Sequence, residues 1–349
     1  MTYLAGKIAL GVTAGAPNNG RGENNVGEVK QMRIGRETHP YVSAQAFRRW
    51  LRDSLPAGEP RSPVTRSGTG VRQQAHTAGR PDRYLDDDLF GYMVALKGED
   101  YHQRDTVLAT GTLVSIAPSN PARDFGTMSR GFSAGDNPVI HEHQHYSAEL
   151  AADMLLDLPR IGTLELDPGG LRRNLPQAVV QEVVKAGAEE IEFRGIRSAQ
   201  LPLPERRRRA ATLLRTLAEV RGGANNSLHY GDRSPALVLL APLKGGNNPF
   251  TRVLAARSGR SAFDADVLRE ELSAWSDELD GPVLLGWAPG FLGDQREITR
   301  KETGDLLSAG TLIIDHPRVL LRGLAGQIEA GDHDGWFADP VAEMSPAAP

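Results

Sequence analysis

The chain has 349 residues, 40% of them hydrophobic, with 40 Lys and Arg against 44 Asp and Glu. That length and composition suit a globular protein of one elaborated domain or two. No apolar run approaches the roughly 18 residues that span a bilayer, and the N-terminus does not resemble a signal peptide, so we expect a cytoplasmic protein without a membrane partner. Cysteine is absent, which excludes disulfides, thiolate chemistry and the usual structural zinc ligands.

The near-neutral total charge conceals a strong polarity along the chain. Residues 21–80 carry 11 basic against 5 acidic side chains, whereas residues 264–349 carry 6 against 17. Such polarity fits one cationic face for a polyanion and an acidic remainder, and it would allow copies to stack head to tail. Asymmetric charge alone does not establish a nucleic-acid partner.

The first predicted element is an apolar strand over residues 4–12, with the composition of a strand buried on both faces. The loop from Ala14 to Gly27 that follows has four Gly and four Asn. Glycine and asparagine allow backbone N–H groups to approach a ligand closely, but a plain surface loop would use them equally well. The loop lacks the GK[ST] signature of a phosphate-binding P-loop.

A helix is predicted from Ser43, which suits the N-cap position. Its apolar face comprises Phe47, Trp50, Leu51 and Leu55. The opposite face predicts a polar stripe that could bind phosphate, or simply face solvent, and it consists of Gln45, Arg48, Arg49 and Arg52. We expect joint replacement of Arg48 and Arg52 by Ala to leave stability nearly unchanged.

Two long segments lack a hydrophobic period. Residues 56–82 are rich in Pro, Gly, Ser and Arg, and residues 119–138 predict a second irregular insertion that carries Phe125 and Met128. Loop-borne apolar side chains can wedge between bases, or can pack onto their own domain. The three acids Asp86–Asp88 are explained by a helix macrodipole better than by a metal site.

The segment HEHQHY sets His141, His143 and His145 on one face of a strand. Three ligands converging on zinc from one strand is poor geometry, so we predict no metal. Further on, a helix over residues 205–221 begins with four arginines, Arg206–Arg209, where cations oppose the helix dipole. A polyanion or an acidic neighbouring subunit could compensate them, or they could be solvated.

The remaining elements are a second Gly/Asn loop (GGANNSLH), a strand (PALVLLAPL), an acidic helix, a strand (GPVLLGW) and a last helix before a tail. The whole order predicts a ferredoxin-like α+β unit with long insertions, the architecture of RNA-recognition-motif (RRM) proteins. The aromatic RNP signature of those proteins is missing, so base stacking on the sheet is not implied.

The motifs of residues 4–245 occur in a familiar order: GKIALGV, the Asn pair, VSAQAFRRWLR, DDDLFGYM, VSIAP with DFGT, HEHQHY, LPRIG, and GGANNS with SPALVLLAP. This order resembles the CRISPR-associated Cascade backbone subunit, the "Cas-seven" group of the RAMP superfamily, and is most similar to its DevR-type branch in type I-B systems. The acidic C-terminal third is similar only weakly.

The resemblance implies a hand-shaped α+β protein with an RRM-like palm (residues 1–55 and 141–330). A fingers insertion would span residues 56–110, a thumb residues 115–140 and a flexible tail residues 338–349. Copies would polymerise as a helical filament along one CRISPR RNA, with other Cascade subunits, and present the guide for pairing with target DNA. It also implies an antiviral-defence role that uses no cofactor.

The resemblance also implies which residues bind RNA. The Ser-x-Gln-x-x-Arg start of the helix would bind the RNA backbone, helped by the basic segment before it and by the two Gly/Asn loops. These candidates are Asn18, Asn19, Lys30, Arg33, Ser43, Gln45, Arg48, Arg49, Arg52, Gly223, Asn225 and Asn226. Phe125 and Met128 are candidate thumb wedges that would flip bases out of the RNA.

Two other functions remain open. Related type III backbone subunits cut target RNA in a metal-dependent reaction with an aspartate in the loop after the first strand. Here that loop contains Glu23 but no Asp, which argues for a non-catalytic scaffold rather than an enzyme. A free-standing nucleic-acid-binding regulator is the third possibility, but no helix-turn-helix is apparent.

Overall fold

The computed structural model describes residues 1–20, 26–68, 73–95, 101–128, 130–133, 135, 137, 139–166 and 173–339. In these ranges the first ten strands are β1 (Tyr3–Gly15), β2 (Val26–Gly27), β3 (Gln31–Ile34), β4 (Glu37–Val42), β5 (Thr65–Ser67), β6 (Gln74–His76), β7 (Tyr92–Val94), β8 (His102–Arg104), β9 (Leu108–Thr110) and β10 (Leu113–Ser115). The later strands are β11 (Ala122–Met128), β12 (Val139–Asp157), β13 (Thr163–Glu165), β14 (Glu189–Phe193), β15 (Ile196–Gln200), β16 (Leu237–Leu243), β17 (Leu254–Arg257), β18 (Arg260–Phe263), β19 (Val283–Trp287) and β20 (Leu312–Asp315). The helices are α1 (Ala44–Ser54), α2 (Leu85–Phe90), α3 (Val180–Lys185), α4 (Leu203–Ala218), α5 (Ala265–Ala274), α6 (Gln295–Glu302), α7 (Gly304–Ser308) and α8 (Pro317–Ala330).

The main sheet is built around β1. Its strand order is β20-β19-β16-β1-β12-β10-β4-β3, with β2, β9 and β11 pairing additionally with β12. Four of these strands, β16-β1-β12-β10, with α1 following β1 in the chain and α4 following β12, form the predicted ferredoxin-like palm. The α+β fold class is therefore confirmed. Strands β19 and β20 are parallel and extend the palm on one edge.

Strand β1 is buried on both faces, as its composition predicted. The even-numbered positions Leu4, Ile8, Leu10 and Val12 belong to the core under α1, α4 and α8. The odd-numbered positions, including Ala5 and Ala9, belong to the opposite core. Gly6 is required at the centre, since a Cβ there would lie 1.7 Å from the carbonyl oxygen of Leu239 on β16.

Residues 108–115 form two short strands, β9 and β10, and β12 ends at Asp157, where a 3₁₀ turn (Leu158–Arg160) precedes β13. One predicted segment differs from the structure. The segment predicted to be irregular, residues 119–138, contains β11, which pairs with β12 from Ala122↔His145 to Met128↔Val139. Its strand character was missed because its polar residues do not alternate with apolar ones. Strands β13–β15 and α3 surround a small core of their own.

The insertion after α1 contains two hairpins, β5–β6 and β7–β8, with α2 between them. Its last strand, β9, returns to the main sheet and pairs with β12. The predicted tail, residues 338–349, lies outside the described residues beyond Asp339.

Asp86–Asp88 lie in the first turn of α2, as predicted, but they also pair with other segments of the chain. All three side chains are buried in α2. Asp88 receives hydrogen bonds from Arg104 of β8 (2.5 Å), from Arg209 of α4 (2.9 Å) and from the backbone N–H of Gly162 (3.0 Å). One carboxylate therefore joins the insertion, the helix α4 and the turn after β12.

The arginine run at the start of α4 is also compensated within the chain rather than by solvent. Arg206 and Arg209 are buried, and Arg206 donates to the carbonyl oxygens of Ile161, Pro159 and Phe337. Burial lowers the pKa of Arg206 to about 10. The two less buried arginines of the run form ion pairs. Arg207 pairs with Asp334, and Arg208 pairs with Glu59 and Glu205.

We predict that Asp88→Asn destabilises the fold by about 3–5 kcal/mol, because it removes the negative charge that two buried guanidinium groups share. Urea unfolding followed by circular dichroism measures the loss. Asp53→Asn is the matched control, since Asp53 pairs with Arg49 on the exposed surface of α1 and should change stability by about 0.5 kcal/mol or less. Equal effects of the two substitutions would contradict a central role for Asp88.

Candidate nucleic-acid interface

The first Gly/Asn loop is held in place by backbone hydrogen bonds. Gly20 donates to the carbonyl oxygen of Glu28 (2.8 Å), and Lys30 donates to that of Asn18 (3.0 Å). Residues 16–20 are thereby tied to residues 28–30, next to the end of β1, although residues 21–25 lie outside the described part of the chain. Asn18 is mostly buried.

The second Gly/Asn loop, residues 222–233, packs against the first. Ala224 donates a backbone hydrogen bond to Pro17 (2.9 Å), and a Cβ on Gly223 would lie 3.2 Å from the Cβ of Pro17. Gly223 has φ +98° and Asn225 has φ +53°, in the left-handed region that glycine and asparagine tolerate best. The structure therefore brings Asn18 and Asn19 together with the candidate residues of a loop 200 positions away.

Helix α1 packs against the second Gly/Asn loop. Ser43 caps the helix, accepting a hydrogen bond from the backbone N–H of Ala46, as predicted. Phe47 and Trp50 are buried, and Trp50 lies so close to Gly222 that a Cβ there would approach its ring to 2.9 Å. The apolar face of the helix thus fixes the position of the loop.

The polar stripe on α1 divides into two groups. Gln45 and Arg49 are exposed, and Arg49 forms an ion pair with Asp53 one turn later (2.7 Å). Arg48 instead donates to Thr110 of β9 (3.1 Å), and burial together with Arg52 lowers its pKa. Arg48 is therefore held against the main sheet rather than left free in solvent.

Arg52 is tied to the insertion. Its guanidinium lies 3.3 Å from the buried carboxylate of Asp86 and 5.4 Å from the ring centre of Phe90. The expectation that Arg48 and Arg52 can be replaced without loss of stability stays a prediction, and the contact between Arg52 and the buried carboxylate of Asp86 argues against it.

Two candidate cations have no internal acidic partner. Lys30 follows the first loop, and Arg33 lies on β3 with its side chain exposed. Among the residues described, neither lies within ion-pair distance of an Asp or Glu. Unlike Arg48 and Arg52, these two charges remain available to an external anion.

The thumb hairpin, formed by β11 and β12, exposes both predicted wedge residues. Phe125 is 65% exposed and Met128 is 57% exposed. Because their positions differ by three in a regular strand, they point to opposite faces of the hairpin. A single ligand on one face of the hairpin would therefore contact only one of them.

Among the described residues, buried polar atoms without a hydrogen-bond partner concentrate where the two loops meet β12. Buried polar groups are normally paired, so such a concentration calls for an explanation. The unpartnered atoms there are Asn18 Nδ2, Asn19 Oδ1, His145 Nδ1, Tyr146 Oη, Asn226 Oδ1, His229 Nε2, and Nε and Nη2 of Arg233. A polar ligand at this junction would supply the missing partners.

Arg233 and Tyr146 are the functional candidates that the sequence did not indicate. Both are only 2% exposed. Burial lowers the pKa of Arg233 and raises that of Tyr146. A Cβ on Gly231 would lie 2.6 Å from Nη1 of Arg233, so the guanidinium fills the space under the second loop. Neither residue belongs to a recognisable motif, and their proximity depends on the tertiary fold.

Two solved structures resemble this chain over nearly its whole length. One, titled "CRISPR RNA-guided surveillance complex, pre-nicking", has a TM-score of 0.58 at 12% identity, over 93% of this chain and 100% of that chain. The other, titled "CRISPR RNA-guided surveillance complex", has a TM-score of 0.52 at 13% identity, over 93% and 98%. The fold is that of a surveillance-complex chain.

At this identity the likeness establishes the fold and not the chemistry of the site. No protein-family model matches the sequence, and no curated protein matches it either. Within the described ranges, no three His, Asp or Glu side chains are arranged to hold a metal ion. Nor does any helix in those ranges have the length and apolarity to cross a bilayer.

We predict that Arg52→Ala lowers the free energy of unfolding by roughly 1–3 kcal/mol, because it leaves the buried Asp86 carboxylate without its cation. Thermal and urea unfolding measure the change. Arg49→Ala, on the same helix but exposed, should stay within about 0.5 kcal/mol of the parent protein. If both substitutions left stability unchanged, the contact between α1 and α2 would be dispensable.

Proposed function

We propose that this protein is the backbone subunit of a type I CRISPR surveillance complex, of the "Cas-seven" group and its DevR-type I-B branch. It binds the CRISPR RNA, polymerises along it with copies of itself and presents the guide to target DNA. The observation that carries the proposal is the full-length likeness to chains of CRISPR RNA-guided surveillance complexes, together with the motif order of residues 4–245.

The interface described above supports a polyanion as the ligand. It combines neutral donors, such as the Asn18 amide, with the uncompensated cations Lys30 and Arg33. Neutral donors and cations of this kind bind phosphate oxygens without reading bases. The protein would therefore hold RNA of any guide sequence, as a scaffold for a variable guide must.

The charge polarity supports repeated copies on one RNA. Residues 264–349 are strongly acidic, whereas residues 21–80 are basic. The arginine run of α4 takes no part in this contact, because its charges are compensated inside the chain. Complementary ends would let one copy contact the next while the basic surfaces remain aligned for the RNA.

We propose that the subunit holds RNA without cutting it. The loop after β1 contains no aspartate; its one acid is Glu23, and Glu28 follows it. Glu28 is exposed and its backbone carbonyl binds Gly20. A metal-dependent nuclease generally needs carboxylates grouped to hold the metal near the scissile phosphate.

We predict that binding to a 30-nucleotide RNA weakens steeply between 50 and 300 mM salt and varies little between unrelated sequences. The double substitution Lys30→Gln and Arg33→Gln should lower affinity at least roughly tenfold. It should also make the plot of log binding constant against log salt concentration less steep, by the amount expected for about two lost phosphate contacts. Fluorescence anisotropy measures both effects. Lys185→Gln with Lys301→Gln, two exposed lysines on α3 and α6, is the charge-matched control. A flat salt response would argue against the proposal.

We expect the protein, expressed with its genomic neighbours, to copurify with a short RNA of uniform length. Incubated with complementary target RNA and Mg²⁺, the purified assembly should give no cleavage products on a denaturing gel. Defined product bands, lost on addition of a chelator, would instead favour the type III-like endonuclease.

A further inference from the structure

Four histidines form a continuous row beside the two Gly/Asn loops. His141, His143 and His145 lie on one face of β12, and His229 approaches them from the second loop. The ring centres of His141 and His143 are 6.4 Å apart and stacked, while His229 lies 5.2 Å from His143 and 5.5 Å from His145. The sequence predicted only the three on the strand, because the fourth comes from a distant loop.

The row joins the parts of the candidate interface. Gly27, after the first loop, lies against His143, where a Cβ would be 3.6 Å from that of the histidine. The backbone N–H of His229 donates to Asn225 of the second loop (2.8 Å). At the other end His141 covers Gly126 of the thumb strand β11. A polymer running from the loops to the thumb would follow the imidazoles.

The four imidazoles of the row outnumber the carboxylates that face them. Among the described residues, Asp124 of β11 faces the row, with its carboxylate 3.4 Å from Nε2 of His143. Nδ1 of His145 and Nε2 of His229 are buried without a partner in the described structure. Burial, followed by the neighbouring His143 and His145, lowers the pKa of His229, and Asp124 opposes this. Without a ligand His229 therefore resists protonation.

We propose that this row of four imidazoles is a further binding strip for the phosphates of a polynucleotide, and that the protein takes up protons when it binds there. The inference rests on the proposed function, since it names additional residues for the same ligand. Neighbouring imidazolium ions repel each other, and a phosphate between them removes that repulsion. A bound polyanion thus favours the charged form of each ring, and by linkage acid tightens binding.

The test measures affinity for one RNA oligonucleotide at constant ionic strength from pH 8.5 to pH 6.0. We expect the dissociation constant of the parent protein to fall by roughly tenfold or more across this range, corresponding to a mean uptake of about 0.4 proton or more on binding. His143→Gln with His229→Gln should flatten the profile while retaining most of the affinity at pH 8.5. His316→Asn, which keeps the N-cap of α8, is the control and should retain the parent pH dependence.

Calorimetry of the unaltered protein in two buffers with different ionisation enthalpies provides a second measurement that needs no substitution. The apparent binding enthalpies at pH 6.5 should differ in the sense of proton uptake. Tight binding at pH 8.5 with a flat profile and equal enthalpies would overturn the histidine strip and leave RNA binding intact. Absence of RNA binding at every pH would overturn both the strip and the proposed function.

Discussion

The buried carboxylate of Asp88 is the contact on which the arrangement of the other parts depends. It compensates Arg104 and Arg209, both almost fully buried, and binds the backbone of Gly162. An uncompensated guanidinium in such a place would cost several kcal/mol, so these segments are stable only together. Arg52, paired with the adjacent Asp86, extends the same network to α1. The insertion is therefore fixed to the palm by charge as well as by apolar packing.

The second constraint is the central position of β1. Because β1 is buried on both faces, its end is held firmly, and the loop that follows it begins at a fixed place at the edge of both cores. The loop meets residues 222–233 there, and Trp50 of α1 holds them in place. Two segments far apart in sequence thereby form one surface with β12. A rigid strand and a helix thus position a candidate site that is itself made of loops.

The basic side chains fall into two groups: those that pair within the chain and those that remain free to bind an external anion. Arg206–Arg209 is the densest basic run in the sequence, yet its charges are used inside the chain. Lys30 and Arg33, isolated in the sequence, have no acidic partner among the described residues, and we propose that they bind RNA. Density of charge along a sequence is thus a poor guide to a binding surface, because an internal carboxylate can compensate any member of the run.

The sequence by itself determined the elements that depend on local order: the doubly buried β1, the helix α1 capped by Ser43, the helix α4 and the ferredoxin-like succession. Periodicity and capping act over a few residues, so one segment contains the information. The pairing of β11, the burial of Asp86–Asp88 and the junction of Tyr146 with Arg233 were decided by the tertiary structure alone. They depend on partners up to 121 positions away, and a side chain's type does not reveal whether the fold will give it a partner or leave it free.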